Sequence, residues 1–153
     1  PVTRLVVVLV SATDVPADAE QAASALRVDR RGMRILRRLM AAKPFLQPLG
    51  CGEALAVYRV LAVWRAFNDP GEAGALALAL EAVSGVPELA DRLRRCLSAA
   101  LAVERPDADA LSGQGRPVGE VIATARQQAI ARAMVRTQGA TGKGQRGHDR
   151  KRP

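Results

Sequence analysis

The sequence predicts an all-α fold: a compact bundle of about five or six helices over residues 1–138, followed by a disordered basic tail at residues 139–153. Apolar residues make up 48% of the 153 residues but aromatic residues only 3%, so the core must consist mainly of Ala, Leu and Val. These residues let helices pack closely, whereas β-sandwiches usually need more aromatic and β-branched side chains. Apolar residues also recur at helical spacing in most segments.

Residues 2–10, VTRLVVVLV, differ from the rest because they are β-branched and almost continuously apolar. That composition is typical of a buried strand. The sequence contains no second convincing strand, however, and a lone strand cannot pair within the chain. We therefore expect a helix here, or an extended arm that pairs with another copy.

Start signals predict the next two helices. Thr13 or Asp14 can cap a helix over residues 16–26, which has a proline in its first turn. Asp29 is suited to cap a second, basic helix that ends before Pro44.

The middle of the chain predicts a turn and three further helices. Residues 44–52 are expected to form a turn whose apolar side chains dock on the core. The helix at 53–67 is apolar nearly all round and holds the only Tyr and the only Trp, so we interpret it as the central core helix. Helices at 72–83 and 88–103 follow it.

The last helix is predicted to run from Pro117 to about Gln138, after a loop at residues 106–117. Its arginines at 126, 132 and 136 are expected to face solvent. From Gly139 onward the chain has four glycines, five cations and no apolar run. Such a segment cannot bury a core, which predicts disorder.

Positive charge is concentrated in two blocks. The net charge is +8, with 20 Arg and 3 Lys. Residues 30–43 carry a net +6 and residues 116–153 a net +7, whereas 1–29 and 44–115 carry −2 and −3. Guanidinium groups bind phosphate and carboxylate bidentately, although abundant Arg also arises from a GC-rich coding sequence. The pattern predicts two distinct basic regions on the surface.

The basic helix at 30–43 holds six cations and no acid. Its like charges repel, so it needs a counter-charge, either from carboxylates of this protein or from an anionic partner. If the arginines at 34, 37 and 38 meet carboxylates of the same chain, such as Glu72, Glu81 or Asp91, the case for a basic patch fails. The candidate anion-binding residues are Arg30, Arg31, Arg34, Arg37, Arg38, Lys43, Arg146, Arg150, Lys151 and Arg152.

We expect a non-enzymatic protein that binds RNA or DNA without sequence preference. No Asn or Gln lies in the basic helix to read base edges, and no aromatic residue lies there to stack on bases. His148 has no triad or ligand set around it, and residues 139–144 lack the Lys-Ser/Thr ending of a phosphate loop. We therefore expect no catalytic site, no cofactor and no bound metal.

Two other functions fit the same features. Residues 43–49, KPFLQPL, follow a basic helix and precede a long apolar one, and they are similar to a stretch of the influenza-type viral matrix protein family. This resemblance implies a basic, multi-helical structural protein that binds RNA, self-associates and lies on an anionic membrane. The other possibility is an interaction module whose arginines contact an acidic partner. A homo-oligomer is expected, with residues 2–10 and the central helix in the contact.

The compartment is expected to be intracellular, cytoplasmic or nuclear. Residues 5–10 are too short for the apolar region of a signal peptide, and no run of about 18 apolar residues predicts a spanning helix. Cys51 and Cys96 have no metal-ligand spacing, so they are more simply reduced, buried, small apolar residues than a disulfide.

Overall fold

The computed structural model describes residues 2–104 and 117–141, and the backbone of these residues forms α-helices and no strand. The predicted all-α bundle is therefore confirmed, although it has more helices than the five or six expected. A 3-10 turn at Lys43–Phe45 joins the third and fourth helices. The eight α-helices in the described part are α1 (Val2–Ala12), α2 (Pro16–Ala25), α3 (Arg30–Ala42), α4 (Leu46–Gly50), α5 (Ala54–Val63), α6 (Pro70–Ser84), α7 (Leu89–Leu101) and α8 (Val118–Thr141).

Residues 2–10 form a helix, α1, which is one of the two structures expected for them, and not an extended arm. Valine costs a helix a few tenths of a kcal/mol relative to alanine, whereas burying its side chain gains about 1.5 kcal/mol or more. Val6 and Val10 are fully buried, and α1 packs against α2, α3 and α6. Tertiary burial thus overrides the strand propensity of this segment.

The core lies where α3, α5, α6 and α7 meet, and Trp64 is its largest fully buried side chain. The indole Nε1 of Trp64 donates a hydrogen bond to the carbonyl oxygen of Arg38, at 3.0 Å. This bond ties the end of α5 to α3. The interpretation of α5 as a central core helix is confirmed by its buried residues, Ala56, Val57, Val60 and Leu61.

α5 ends at Val63, four residues before the predicted end at residue 67. Arg65 adopts a left-handed backbone with φ 56°. The amide of Arg65 then donates to Ala62 O at 2.9 Å, and the amide of Ala66 donates to Leu61 O at 2.9 Å. These two bonds form a Schellman motif, which satisfies the last carbonyls of the helix and turns the chain away.

The predicted turn at 44–52 is itself largely helical. The 3-10 turn runs directly into α4, and Leu49 of α4 is fully buried, as expected for a segment docked on the core. α6 ends at Ser84, one residue past its predicted end, because Gly85 stops the helix in a left-handed conformation with φ 66°.

The last helix, α8, packs mainly against α7 and α5, and it buries Ile130 and Met134. Arg132 faces solvent as predicted, but Arg126 does not. The guanidinium carbon of Arg126 lies 4.6 Å from the centroid of the Phe67 ring, a cation–π contact that draws it inward. α8 continues to Thr141, three residues past its predicted end. Most of the predicted loop at 106–117 and of the predicted tail, as well as the side chain of Arg136, lie outside the described residues.

Candidate nucleic-acid interface

The basic helix α3 is amphipathic as predicted. It starts at the expected cap, because Asp29 Oδ1 accepts a hydrogen bond from the Gly32 amide at 2.7 Å. One face is buried against the core through Ile35, Leu36, Leu39 and Met40. The cations therefore lie on the outer side of the helix, and they differ in the counter-charge that each one meets.

Arg34 and Arg38 share one carboxylate of the same chain, that of Glu72 in α6. Arg34 Nη2 lies 3.1 Å from Glu72 Oε1, and Arg38 Nη1 donates to Glu72 Oε2. The Arg38 side chain is 18% exposed and that of Glu72 12%, whereas the Arg34 side chain is 57% exposed. Arg38 is thus held in the protein, while Arg34 reaches Glu72 from the solvent side.

Arg37 is paired with Glu20 of α2 by two hydrogen bonds. Nε donates to Oε1 at 3.0 Å and Nη2 donates to Oε2 at 2.7 Å. This fork-to-fork geometry, helped by the opposite charge, lowers the pKa of the Glu20 carboxyl and raises the pKa of Arg37. The pair ties α2 to α3, yet the side chain of Arg37 remains 63% exposed.

Lys43, at the C-terminal end of the basic helix, binds the carbonyl oxygens at the C-terminal end of α1. Its Nζ donates to the carbonyl oxygens of Val10 at 2.7 Å and Thr13 at 2.5 Å, and it lies 2.7 Å from Asp14 Oδ1. A cation beside the last carbonyls of a helix is favoured by the helix dipole. Lys43 therefore has a structural role at the join of α1 and α3.

The N-terminal end of α3 is different. Arg30 and Arg31, its first two residues, are exposed, and so is Arg27 in the turn just before it. None of the three forms an ion pair with any residue that the structure describes. The Cα atoms of Arg27 and Arg30 are at most about 11 Å apart, because only two residues lie between them in the chain. We call Arg27, Arg30 and Arg31 the arginine corner.

The arginine corner occupies backbone positions that disfavour arginine. Arg27 has φ 54°, and it closes α2 with a Schellman motif: its amide donates to Ser24 O at 3.0 Å and the Val28 amide donates to Ala23 O at 2.9 Å. Glycine is the usual residue there. Arg30 and Arg31 lie at the positive end of the α3 dipole, where anions are favoured and cations are not.

The predicted set of site residues is therefore divided by the structure. Arg34 and Arg38 meet Glu72 and Arg37 meets Glu20, so the condition stated above is met and the case for a basic patch along α3 fails. Of the three acids named as possible partners, only Glu72 fills that role. Glu81 instead accepts a hydrogen bond from the Ala90 amide at 2.7 Å, and Asp91 pairs with Arg94 at 2.7 Å.

Sequence reasoning missed Arg27, although its spacing of three residues from Arg30 was visible. The four candidate residues of the tail, Arg146, Arg150, Lys151 and Arg152, lie outside the described residues.

The two cysteines are free. Cys96 is buried as expected, but the prediction is wrong for Cys51, which is exposed. Burial raises the pKa of the Cys96 thiol to about 11, so it stays protonated at neutral pH. Across the described ranges, no three His, Cys, Asp or Glu side chains lie close enough to hold a metal ion. None of the helices there is both long and apolar enough to cross a membrane.

Comparison with known proteins gives no match: no protein-family model fits the chain, and neither a curated protein nor a solved structure is significantly similar to it. The similarity of residues 43–49 to viral matrix proteins gains no support from these comparisons.

Proposed function

We propose that this is a non-enzymatic protein that binds the phosphate backbone of RNA or DNA, without sequence preference, at the arginine corner. The observation that carries the proposal is the contrast along α3. Arg37, Arg38 and Lys43 are engaged by carboxylates and carbonyls of the chain, whereas Arg27, Arg30 and Arg31 are exposed and lack ion-pair partners among the described residues. Free guanidinium groups are the groups that can neutralise phosphates.

The backbone positions of these arginines support the same proposal. A left-handed residue other than glycine costs about 1–2 kcal/mol, and a cation at a helix N-terminus forgoes about 0.3–1 kcal/mol that an anion would gain there. A phosphate bound at the corner would offset the second cost through the guanidinium groups of Arg30 and Arg31, while the Asp29 carboxylate keeps its place as the N-cap of α3.

Arg34 can add a fourth contact at little cost. Its side chain is 57% exposed, and an exposed ion pair contributes only about 0–1 kcal/mol. If Arg34 turns to a phosphate, Glu72 still keeps its bond to Arg38. Arg37 is as exposed as Arg34, at 63%, but it would give up two hydrogen bonds to Glu20 instead of one.

The number of contacts sets the expected salt dependence. Three or four phosphate contacts give a slope of about −3 to −4 in a plot of the logarithm of the binding constant against the logarithm of salt concentration. The corner has no Asn, Gln or aromatic residue among its arginines, so duplexes of different sequence should bind alike. Binding should be weak at physiological salt, as is typical of non-specific contacts.

Fluorescence anisotropy with short labelled RNA and DNA duplexes at low salt tests the proposal. The variant Arg30→Ala with Arg31→Ala should lose at least about tenfold in affinity, because it removes two phosphate contacts. The control is Arg95→Ala with Arg132→Ala, which removes the same charge from two exposed arginines elsewhere. That control should bind nearly as well as the unaltered chain.

Three results would contradict the proposal. One is that the unaltered chain binds neither nucleic acid at low salt. Another is an equal loss of affinity in the two double variants, which would show that binding depends only on net charge. Binding to anionic vesicles without binding to nucleic acid would favour the matrix-like alternative instead.

A further inference from the structure

The outer faces of α1 and α6 form an apolar surface that no described residue covers. Val8 of α1 is 61% exposed and Leu78 of α6 is 54% exposed. Residues 5–10 of α1 are all apolar, and residues 73–80 of α6 contain only Ala, Gly and Leu. A surface helix normally has a polar outer face, whereas a helix that is apolar all round lies in a core or an interface. Here two such helices lie side by side.

The two acids of α6 do not make this surface polar, because both bind other groups of the protein. Glu72 binds the arginines of α3, and Glu81 accepts a hydrogen bond from the Ala90 amide. Between the two helices runs an open groove of about 550 Å³ with Arg4 at its rim. Arg4 is the one charged side chain among the described residues of the lining. The remaining lining residues are Val7, Val8, Ala75, Leu78, Ala79 and Ala82.

We infer that the α1/α6 face is a homodimer interface, covered by the same face of a second copy. Charge is the first reason. Each copy carries a net +8, so two copies repel one another on their arginine-bearing surfaces. The α1/α6 face carries one cation in its described lining, so charge opposes approach through this face only weakly.

Shape is the second reason. A twofold interface uses one patch on both copies, so that patch must contain both a projection and the hollow that receives it. The α1/α6 face contains both: Val8 and Leu78 project, and Ala75, Ala79 and Ala82 leave room between them. Leu78 of each copy can therefore lie over the alanines of the other.

The composition of residues 105–116 and 142–153 argues against either segment as the occupant of the groove. Residues 105–116 contain one large apolar residue, Leu111, and residues 142–153 contain none. Neither segment has the apolar side chains to fill a groove of this length.

The size of the face predicts a weak, reversible dimer. α1 has 11 residues and α6 has 15, which gives lengths of about 16 and 22 Å. Two helices side by side, each about 10 Å wide, present about 400 Å² in projection. A standard interface buries about 800 Å² of accessible surface on each partner, so this contact is at the small end. Monomer and dimer should therefore exchange over an accessible range of concentration.

Sedimentation velocity of the full chain, from micromolar to near-millimolar concentration, tests the inference. The sedimentation coefficient of the unaltered chain should rise with concentration, whereas Leu78→Lys and Val8→Lys should each hold it at the monomer value. The matched control is Leu26→Lys, because Leu26 is equally exposed at 55% and lies at the end of α2, away from the groove. This control should dimerise like the unaltered chain. Helical circular dichroism checks that each variant is folded.

A coefficient that stays at the monomer value over the whole range would overturn the inference. Dimerisation that Leu78→Lys and Val8→Lys leave intact would equally overturn it, because the contact would then lie elsewhere. Co-sedimentation of a monomeric chain with neutral lipid vesicles would also overturn it, since the apolar face would then be assigned to a bilayer. The inference is independent of nucleic-acid binding, so either can fail alone.

Discussion

The two ends of α3 carry similar numbers of cations, but the cations at one end are bound by groups of the chain and those at the other end face solvent. At the C-terminal end, Arg37, Arg38 and Lys43 hold neighbouring elements in place through Glu20, Glu72 and the carbonyls at the end of α1. At the N-terminal end, Arg30 and Arg31, with Arg27 before them, face solvent and have no ion pair in the part of the chain that the structure describes. A count of positive charges on a helix therefore does not measure its capacity to bind an anion.

The largest expected contrast between the two ends is in stability. Arg38→Met should lower the free energy of unfolding by about 2 kcal/mol, because it leaves the nearly buried Glu72 with only the exposed Arg34. Arg31→Met should change it by no more than about 0.5 kcal/mol, because it removes only an exposed cation at the helix N-terminus. Urea denaturation followed by circular dichroism measures both, and equal effects would remove the distinction between the ends.

The fold class and most helices could be predicted from the sequence. Composition and apolar spacing indicate helices directly, and helix ends such as Asp29 and Gly85 depend only on neighbouring residues. The sequence was sufficient for the amphipathic character of α3 as well. It could not reveal which carboxylates meet which arginines: Glu20 is 17 residues from Arg37 and Glu72 is 34 from Arg38, and only the packing of α2 and α6 on α3 unites them.

The early end of α5 was also hidden, because Arg65 gives no signal of a left-handed backbone. The same is true of Arg27, the member of the arginine corner that the sequence did not suggest.

Arg27 and Arg65 provide a matched pair. Both close a helix with the same two Schellman hydrogen bonds, at φ 54° and φ 56°. Glycine at either position should raise the free energy of unfolding by about 1 kcal/mol, because the left-handed backbone costs glycine nothing. Only Arg27→Gly should also weaken nucleic-acid binding. If thermal melts show the gains but anisotropy shows equal affinities, Arg27 is not part of the site.

A comparison of Arg34 with Arg37 should give a smaller contrast, in nucleic-acid affinity. Arg34→Ala should weaken binding a few-fold, since it removes an exposed cation that can be shared with phosphate, whereas Arg37→Ala should have less effect because Arg37 is committed to Glu20. Anisotropy at one low salt concentration is enough to compare them. A greater loss for Arg37→Ala would place the bound phosphate nearer the C-terminal end of α3.

The smallest expected effect concerns pH. The folded state lowers the pKa of Glu20 below its ordinary value of 4.5, so this pair stabilises the fold above that pH and the contribution is lost as the pH falls through the folded-state pKa. The stability difference between the unaltered chain and Glu20→Gln should therefore be positive at neutral pH and shrink in acid. Urea denaturation at several pH values measures it, and a difference that does not change with pH would show that the pair contributes through packing instead.

The central claim, that the N-terminal end of α3 contacts phosphates and the C-terminal end does not, is tested most directly by the salt dependence of duplex binding. The slope of the logarithm of the binding constant against the logarithm of salt concentration should become shallower by about one for Arg31→Ala, because one phosphate contact is lost. For Arg38→Ala, measured under conditions where it remains folded, the slope should match that of the unaltered chain. An unchanged slope for Arg31→Ala together with a shallower slope for Arg38→Ala would contradict the assignment.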